Sequence, residues 1–417
     1  MSSSDAMANN SWHCMEMSAN TALYEHPSLD WRGAPAMPSR PLRVLFVNDH
    51  LGYERGVTHG GTTYFLATLP KLDRRVVDSG LCILGARHAA AGQLEALGIR
   101  PVFFARAKWD LRALGDLVRV VKEQQVDILH LSTMKSALLG AAAASMTGRS
   151  AILHLHDLSP LKPGLRHLHR LAARRMSAII AVSEPVRRFA EAAFDVPAER
   201  IEVIPNGIRL DALTVDPAPA RRRLRCQLGL AEDSRVIGMS SRLYPDKGHR
   251  CLIRAMPSII ARCPEAVLLI AGDGPTRADC EALVRQLHLQ TSVRFLGHRN
   301  DIPDVLAAID VFAMPSTFEE GFGYSALEAI ASGRPVVAFA SEALERIVLP
   351  GRTGMLVAIG DIEGLATSVA TLLADRDLAR RLGDAGRRHA QTFGIERHAR
   401  RLEDLYVSLT ARADVAA

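Results

Sequence analysis

Short apolar runs rich in β-branched residues alternate with longer helical stretches through most of the 417-residue chain. Such runs predict strands buried on both faces, and their alternation with helices predicts βαβ units and parallel sheets. In the first half the predicted strands are Leu42–Val47, Asp78–Leu84, Ile128–Leu131, Ala151–Leu155, Ala178–Val182 and Ile201–Ile204. In the second half they are Val236–Ser240, Ala266–Ala271, Val293–Leu296, Val311–Met314, Pro335–Phe339 and Gly354–Val357.

This repetition predicts an α/β protein built from two doubly wound, Rossmann-like halves. The segment Asp211–Arg225 carries two prolines and an arginine cluster, and we interpret it as a linker. The last helix, Ile395–Leu409, has an apolar face that is predicted to pack back on the first half. The predicted divisions are a poorly ordered leader (1–40), a first domain (41–207), a second domain (208–392) and a C-terminal helix (393–417).

Ligands of open parallel sheets bind beyond the carboxyl ends of the strands. Two doubly wound halves that face each other therefore predict a binding site in the cleft between them. The chemistry of this protein is expected in the loops that follow the strands.

Composition narrows the class of protein. Hydrophobic residues make up 48% and charged residues 23% of the chain, as in globular proteins. No apolar run reaches the ~20 residues of a membrane span, and the six cysteines show no CxxC pairing that would indicate zinc or a disulfide scaffold. The net charge of +6 comes without the interleaved aromatic and basic residues that bind nucleic acid. These features predict a cytoplasmic protein without a nucleic-acid partner.

Two glutamates flank the start of one predicted helix. Glu320 precedes a Gly-Phe-Gly turn, and Glu328 lies about one turn inside the helix that follows. Free amides of a first helical turn attract anions, and carboxylates accept hydrogen bonds from hydroxyls. A sugar nucleotide, which joins phosphates to polyols, fits this pair. Glutamates are also common near helix starts because the helix dipole favours them, so the spacing alone leaves both interpretations open.

Two cations, Arg242 and Lys247, leave the carboxyl end of the strand Val236–Ser240 just before another helix. An arginine fork and a lysine point charge at this place can grip a diphosphate. The alternative is a solvated loop with ordinary charges. Together with Glu320 and Glu328, the cations favour a nucleotide sugar, because the two sets supply complementary contacts.

Several motifs of both halves occur together in one known protein family. Those of the second half are Arg242-x4-Lys247-Gly248, Ala271-Gly-Asp-Gly-Pro275, Val293-x-Phe-x-Gly297, Glu320-Gly-Phe-Gly-x4-Glu328 and Pro350-Gly-Arg-Thr-Gly354. The first half adds Gly60-Gly61, His156, Ser183 and Pro205-Asn-Gly207. Over about residues 42–410 the chain thus resembles the group 1 (family 4) glycosyltransferases. The resemblance implies the GT-B fold, with an acceptor-side first domain and a second domain that binds the nucleotide sugar.

The resemblance also implies roles for the charged residues. Arg242 and Lys247 would bind the donor diphosphate and stabilise it as the leaving group. Glu328 would accept hydrogen bonds from the ribose hydroxyls, and Glu320 would contact the transferred sugar.

Further donor contacts are implied by the same resemblance. The backbone amides of Gly321, Phe322 and Gly323 would touch sugar or phosphate. Gly60 and Gly61 would let the backbone of the first domain approach the phosphate, and His156 would face the donor sugar across the cleft. Arg299, just after Gly297, would line the pocket for the base.

The family resemblance predicts a hexosyltransferase that works with retention and without cofactor. Glycosyltransferases that depend on a metal need a DxD-like motif at a strand end. The only Asp-x-Asp here, Asp375-Arg-Asp377, lies in a helical, arginine-rich stretch. No metal site is therefore predicted. The partners would be a nucleotide-diphosphate sugar and a glycan, lipid-linked or small-molecule acceptor, as in polysaccharide biosynthesis. The alternatives are a non-catalytic nucleotide-sugar-binding protein and a GT-B epimerase or phosphorylase.

Two features are predicted less directly. His154 and His156 share a face of one strand, and we interpret His154 as packed or hydrogen-bonded rather than as a metal ligand. The segment Lys162–Arg175 predicts a helix whose arginines lie opposite Leu165, Leu168 and Ala172. Such a helix suits peripheral contact with anionic lipid at the inner face of the membrane. A solvated face on an ordinary domain helix is the alternative.

Overall fold

The computed structural model describes residues 39–52, 60–106, 110–213, 217–231 and 233–416. The predicted leader, residues 1–40, lies outside the described residues apart from its last two. Across the described ranges, the strands form two sheets in which all pairs are parallel. The predicted α/β class with two Rossmann-like sheets is confirmed. No helix in these ranges is long and apolar enough to cross a bilayer.

The first sheet has seven strands. They are β1 (Leu42–Asn48), β2 (Val77–Ile83), β3 (Val102–Phe103), β4 (Ile128–Leu131), β5 (Ser150–Leu155), β6 (Ala178–Ala181) and β7 (Ile201–Val203). Their order is β3-β2-β1-β4-β5-β6-β7, so the direction of winding reverses between β1 and β4. A reversal of this kind opens a crevice at the carboxyl edge of the sheet.

The second sheet has six strands in the order β10-β9-β8-β11-β12-β13. The direction of winding reverses between β8 and β11, as it does between β1 and β4 in the first sheet. They are β8 (Arg235–Ser240), β9 (Ala266–Ala271), β10 (Val293–Gly297), β11 (Val311–Met314), β12 (Val336–Phe339) and β13 (Gly354–Val357). The apolar side chains of each sheet point alternately to two buried clusters, because helices cover both of its faces.

The helices connect the strands and cover the sheets. In the first half they are α1 (Gly60–Thr68), α2 (Ala91–Ala96), α3 (Arg112–Glu123), α4 (Met134–Thr147), α5 (Arg166–Arg175) and α6 (Glu184–Phe194). The following ones are α7 (Pro217–Gln227), α8 (His249–Arg262), α9 (Arg277–Gln286), α10 (Ile302–Ala308) and α11 (Tyr324–Ala331). The last are α12 (Glu342–Glu345), α13 (Ile362–Ala374), α14 (Arg376–Ala390) and α15 (Ile395–Ala416).

The predicted linker Asp211–Arg225 is wrong, because α7 occupies most of it. Its prolines lie in the first turn, where proline costs no helical hydrogen bond. Arg225 is buried, donates to the carbonyl of Ala308 at 2.9 Å and pairs with Asp310 at 2.9 Å. The arginine cluster therefore anchors a domain helix.

The C-terminal helix α15 packs on the first sheet. Leu402 and Tyr406 belong to the same buried cluster as Phe46 of β1. Ile208 ties the start of this helix to the chain after β7, with backbone hydrogen bonds of 2.9 Å to Phe393 and 3.0 Å from Ile395. Where one domain ends and the next begins, at 207 and 392, stays a prediction.

Candidate functional site

The loop after β8 brings Lys247 onto the loop after β11. Lys247 ends a short 3-10 turn, and Gly248 follows it with a φ of +75°. A Cβ on Gly248 would lie 1.7 Å from the carbonyl oxygen of Pro315, so only glycine allows the two loops to come this close. The amide of Thr317 donates to the carbonyl of Asp246 at 2.8 Å and fixes the contact.

Lys247 and Glu320 form an ion pair at this junction. The Nζ atom lies 2.9 Å and 3.1 Å from the two carboxylate oxygens of Glu320, which is 7% exposed. The hydroxyl of Ser316 donates to the same carboxylate at 2.6 Å, and the ammonium lies 4.4 Å from the ring centroid of Phe318. A buried carboxylate with two partners in place is held rigidly, as a group that must meet a ligand in one geometry should be.

The Gly-Phe-Gly turn presents backbone amides at the site, because the side chain of its phenylalanine is buried. Phe322 is 6% exposed and packs edge-on against Tyr324 and Phe393, with ring centroids 5.1 Å and 6.2 Å away. Gly323 forms the N-cap of α11 at a φ of +94°, a backbone conformation that residues with a side chain rarely adopt. The first amides of α11 therefore remain directed toward the carboxyl edge of the sheet.

Glu328 lies one turn inside α11, as the sequence predicts. Burial raises the pKa of its carboxyl to about 7. The carboxyl of Glu328 is therefore neutral below about pH 7 and ionised above it.

The two other predicted cations of the second domain differ in their surroundings. Arg242 is exposed and its guanidinium lies 4.8 Å from the ring centroid of Tyr244. Arg299, after β10, donates from Nε to Asp301 at 2.8 Å in a local ion pair. Arg299 is thus part of a structured turn at the sheet edge, where it shapes the loop.

The first domain reaches the same site through the loop after β5. A Cβ on Gly321 would lie 2.4 Å from the carbonyl oxygen of His156 and 3.0 Å from the Cα of Asp157. Ser183, after β6, donates to the carbonyl of Gly321 at 2.6 Å. The carboxyl edges of the two sheets therefore meet at Gly321, and His156 lies on the opposite side of that contact from Glu320.

Contacts join some of the predicted site residues to one another and leave others with local partners only. The structure brings Lys247, Glu320, Gly321 and His156 together. Gly60 and Gly61 open α1 at the carboxyl edge of the first sheet, although the preceding residues 53–59 lie outside the described ranges. Ser316 was not predicted from the sequence, although a polar residue just after a buried strand was the available signal.

His154 has the surroundings that the sequence-based interpretation predicts. His154 is fully buried, and its Nδ1 lies 3.0 Å from Nε2 of His130. The hydrogen-bonded alternative is confirmed. Among the described residues, no three His, Cys, Asp or Glu side chains are grouped to hold a metal ion.

Comparison with known proteins gives two family matches along the chain. Residues 220–389 match the family described as glycosyl transferases group 1. Residues 58–212 match the glycosyltransferase family 4 description. The second match contains the strands of the first sheet after β1, and the first match contains all strands of the second sheet.

Individual relatives agree with these matches. The chain is 32% identical over 290 residues to the GDP-mannose-dependent monoacylated alpha-(1-6)-phosphatidylinositol monomannoside mannosyltransferase of Corynebacterium glutamicum, covering 66% of this chain and 74% of that protein. It is 26% identical over 313 residues to the Escherichia coli UDP-Gal:alpha-D-GlcNAc-diphosphoundecaprenol alpha-1,3-galactosyltransferase, covering 72% and 80%. The solved structure of Anabaena HepE in complex with UDP and glucose superposes with a TM-score of 0.78 at 27% identity, covering 88% of this chain and all of the other.

Proposed function

The chain belongs to the group 1, family 4 glycosyltransferases, and from this premise we propose that it moves a hexose from a nucleotide-diphosphate sugar to an acceptor hydroxyl with retention and without a metal. The observation that carries the proposal is the Lys247–Glu320 pair beside the first amides of α11, where both sheets present their carboxyl edges. Cation, carboxylate and amides there match the diphosphate and the hydroxyls of such a donor.

The leaving diphosphate is the group that needs stabilisation. Arg242, Lys247 and the amides after Gly321 supply positive charge and N–H donors without any metal. Lys247 also holds Glu320, so the two groups that would contact the leaving phosphate and the sugar are fixed relative to each other. Preorganised donors of this kind lower the barrier because they do not have to reorient during the reaction.

The sugar and the nucleoside would lie on either side of that diphosphate. Glu328 would accept hydrogen bonds from the ribose, and the turn around Arg299 would shape the base pocket. His156 would contact the transferred hexose from the first domain. In the reaction, the bond from the anomeric carbon to the phosphate oxygen breaks and the acceptor oxygen bonds to that carbon on the same face. The acceptor proton passes to the departing phosphate, and Glu320 stabilises the charge that develops on the sugar.

A thermal-shift panel of UDP-, GDP- and ADP-sugars tests the donor assignment. A true donor binds only the folded state and adds about 2.7 kcal/mol of stability at a hundredfold excess over its Kd. Because the pKa of Glu328 is raised to about 7, its carboxylate forms as the pH rises through neutrality. Ribose hydroxyls donate to a carboxylate, so the shift should be larger at about pH 8 than at about pH 6.

Transfer and hydrolysis assays with the stabilising donor complete this test. A donor that binds but is neither transferred nor slowly hydrolysed would contradict an enzyme and support a binding protein. Product formation that requires free phosphate instead of a nucleotide donor would support a phosphorylase. A nucleotide sugar recovered as its epimer would support an epimerase.

The acceptor side carries an exposed face on α5 that suits a lipid surface. Leu168 and Leu171 are 52% and 55% exposed, and Arg174 and Arg175 are exposed beside them. Of the apolar residues predicted opposite the arginines, Ala172 faces the core together with His169 and Ala173, whereas Leu168 is exposed. Exposed leucines among arginines are the pattern of a helix that lies on an anionic bilayer.

We therefore propose that the acceptor is lipid-linked and that α5 docks on anionic lipid at the inner face of the membrane. Two relatives act on a phosphatidylinositol mannoside and on a diphosphoundecaprenol-linked sugar, as their names state. Arg170 is excluded from this face, since it is half-buried and donates to the carbonyl of Ala193 at 3.2 Å.

Vesicle co-sedimentation measures this contact. Replacing Leu168 and Leu171 by serine should reduce binding to vesicles with anionic lipid, since it removes apolar side chains from the contact. Replacing Arg174 and Arg175 by glutamate should reduce this binding by about 30-fold, since each basic residue near the surface contributes about 1 kcal/mol. Leu111→Ser, at a residue 80% exposed just before α3, is the control and should bind normally. Equal binding of all variants, or equal binding to neutral and anionic vesicles, would rule out the proposed docking.

A further inference from the structure

Beneath the cleft the first domain contains an aromatic cluster of six residues that bear titratable or polar groups. We define the histidine cluster as Tyr64, His130, His154, His156, His398 and Tyr406. Five of them are at most 3% exposed, and His156, at the end of β5, connects the cluster to the cleft. The members come from α1, β4, the end of β5 and α15, so four elements converge on one set of rings.

Hydrogen bonds link these rings into a network that reaches the last helix. Tyr406 Oη lies 2.7 Å from Nδ1 of His130, whose Nε2 lies 3.0 Å from Nδ1 of His154. On the other side, Tyr64 Oη lies 3.4 Å from Nδ1 of His154 and 3.3 Å from Nε2 of His398. Nδ1 of His398 lies 2.8 Å from the carbonyl oxygen of Pro205.

The direction of one of these hydrogen bonds follows from the chemistry. The Pro205 carbonyl can only accept, so His398 carries its hydrogen on Nδ1. Burial lowers the pKa of His398 to about 4, which keeps the ring neutral and leaves Nε2 as an acceptor. The Tyr64 hydroxyl must therefore donate to His398. This bond fixes the hydroxyl hydrogen and, with it, the orientation of the Tyr64 ring edge.

His156 rests on two rings of this network. The His154 ring stacks on it with centroids 4.1 Å apart and planes 30° apart, and the Tyr64 ring lies 4.7 Å away at 60°. An apolar core of the same shape would be about as stable, because a buried hydrogen bond replaces one made to water. What the hydrogen bonds add is direction, since they set ring orientations that apolar contacts leave free.

We propose that Tyr64 and His398 are positioning residues for His156, holding its imidazole in the orientation that meets the transferred sugar. The inference rests on the proposed function and extends it to α1 and to the C-terminal helix. It also gives α15 a role besides covering the first sheet, because the Tyr64 ring connects His398 of this helix to His156.

Two substitutions at His398 separate positioning from packing. His398→Asn keeps a donor near Pro205 but removes the acceptor for Tyr64, whereas His398→Gln places an amide oxygen where Nε2 was. We expect kcat to fall about 10-fold in the asparagine variant and to return toward the unaltered value in the glutamine variant. The affinity for the free nucleoside diphosphate, measured by calorimetry, should not change, because it lacks the hexose that His156 would contact.

Tyr64→Phe supplies an independent test, since it removes only the hydroxyl and keeps the ring beside His156. We expect the same loss of kcat as in His398→Asn and no further loss in the double variant, because both break one hydrogen bond. His169→Asn, at another buried helical histidine, is the control for a lost imidazole and should keep its kcat. Normal kcat in both Tyr64→Phe and His398→Asn, or a double variant in which the two losses of kcat add, would overturn this inference but not the proposed function. Absence of transfer by the unaltered chain would overturn the proposed function and the inference with it.

Discussion

Replacing Lys247 by methionine should lower transfer by at least about 100-fold, the usual cost of removing one preorganised donor to a developing charge. It should also destabilise the fold by roughly 3–5 kcal/mol, because the Glu320 carboxylate would stay buried with only Ser316 as partner. Activity and stability thus fall together in the single variant. Loss of the cation must be separated from the cost of an unpaired, buried Glu320 carboxylate.

A double variant makes that separation. In Lys247→Met/Glu320→Gln the buried charge is gone, so the melting temperature should recover most of the loss. Transfer should remain at least about 100-fold below the unaltered chain, since the cation for the diphosphate is still missing. Steady-state transfer and thermal unfolding, measured on the same preparations, check both halves of the prediction.

Lys71→Met is the matched control for these variants. Lys71 also pairs with a glutamate, Glu396, at 2.8 Å, but both side chains lie at the surface away from the cleft. Exposed pairs of this kind contribute little to stability, so its activity and melting temperature should stay close to those of the unaltered chain. Recovery of transfer in the double variant, alongside a normal control, would show that Lys247 serves only to neutralise Glu320.

Much of the fold could be predicted because its signals are local. The strands Ile128–Leu131 and Ala266–Ala271 have the predicted bounds, since each is a short apolar run with clear ends. The strand Val102–Phe103 was missed, because two residues carry no periodicity. The helix Pro217–Gln227 was taken for a linker, because prolines in a first helical turn look the same in sequence as prolines in a loop.

The candidate site was predictable only as a set of separate residues. The spacing of Glu320 and Glu328 follows from one helix, and the position of Lys247 follows from one loop. Their pairing depends on how close Gly248 lets two loops approach, which is a tertiary property. The histidine cluster could not be predicted from the sequence for the same reason, since Tyr64 and His398 are separated by 334 positions.

Side-chain direction was the weakest part of the prediction. On α5, the sequence groups Leu168 and Ala172 on one apolar side, but the protein covers Ala172 and leaves Leu168 exposed. A helical wheel gives the angles between residues but does not say which angle faces the protein. At Phe322 the family resemblance implies a contact through the backbone amide, and only the structure shows that the ring is buried.

A methyl group on Gly321 should separate the two domains where they meet. In Gly321→Ala the new Cβ would lie 2.4 Å from the His156 carbonyl and 3.0 Å from the Cα of Asp157, and backbone atoms cannot rotate away. The two edges must then move apart, which takes His156 away from Glu320. A displacement of about 1 Å at a reacting centre costs about 100-fold in rate, and we expect transfer to fall by that factor.

The binding of the free nucleoside diphosphate distinguishes this cause from general damage. The charged groups proposed to bind it, Arg242, Lys247 and Glu328, all belong to the second domain, so its affinity in Gly321→Ala should change much less than transfer. Gly115→Ala is the matched control, because a Cβ there meets nothing within 4 Å inside α3. Alanine at this helical position should stabilise the fold by roughly 0.5–1 kcal/mol and leave transfer unchanged. Full transfer by Gly321→Ala would mean that the chemistry does not require the two edges to meet at this residue.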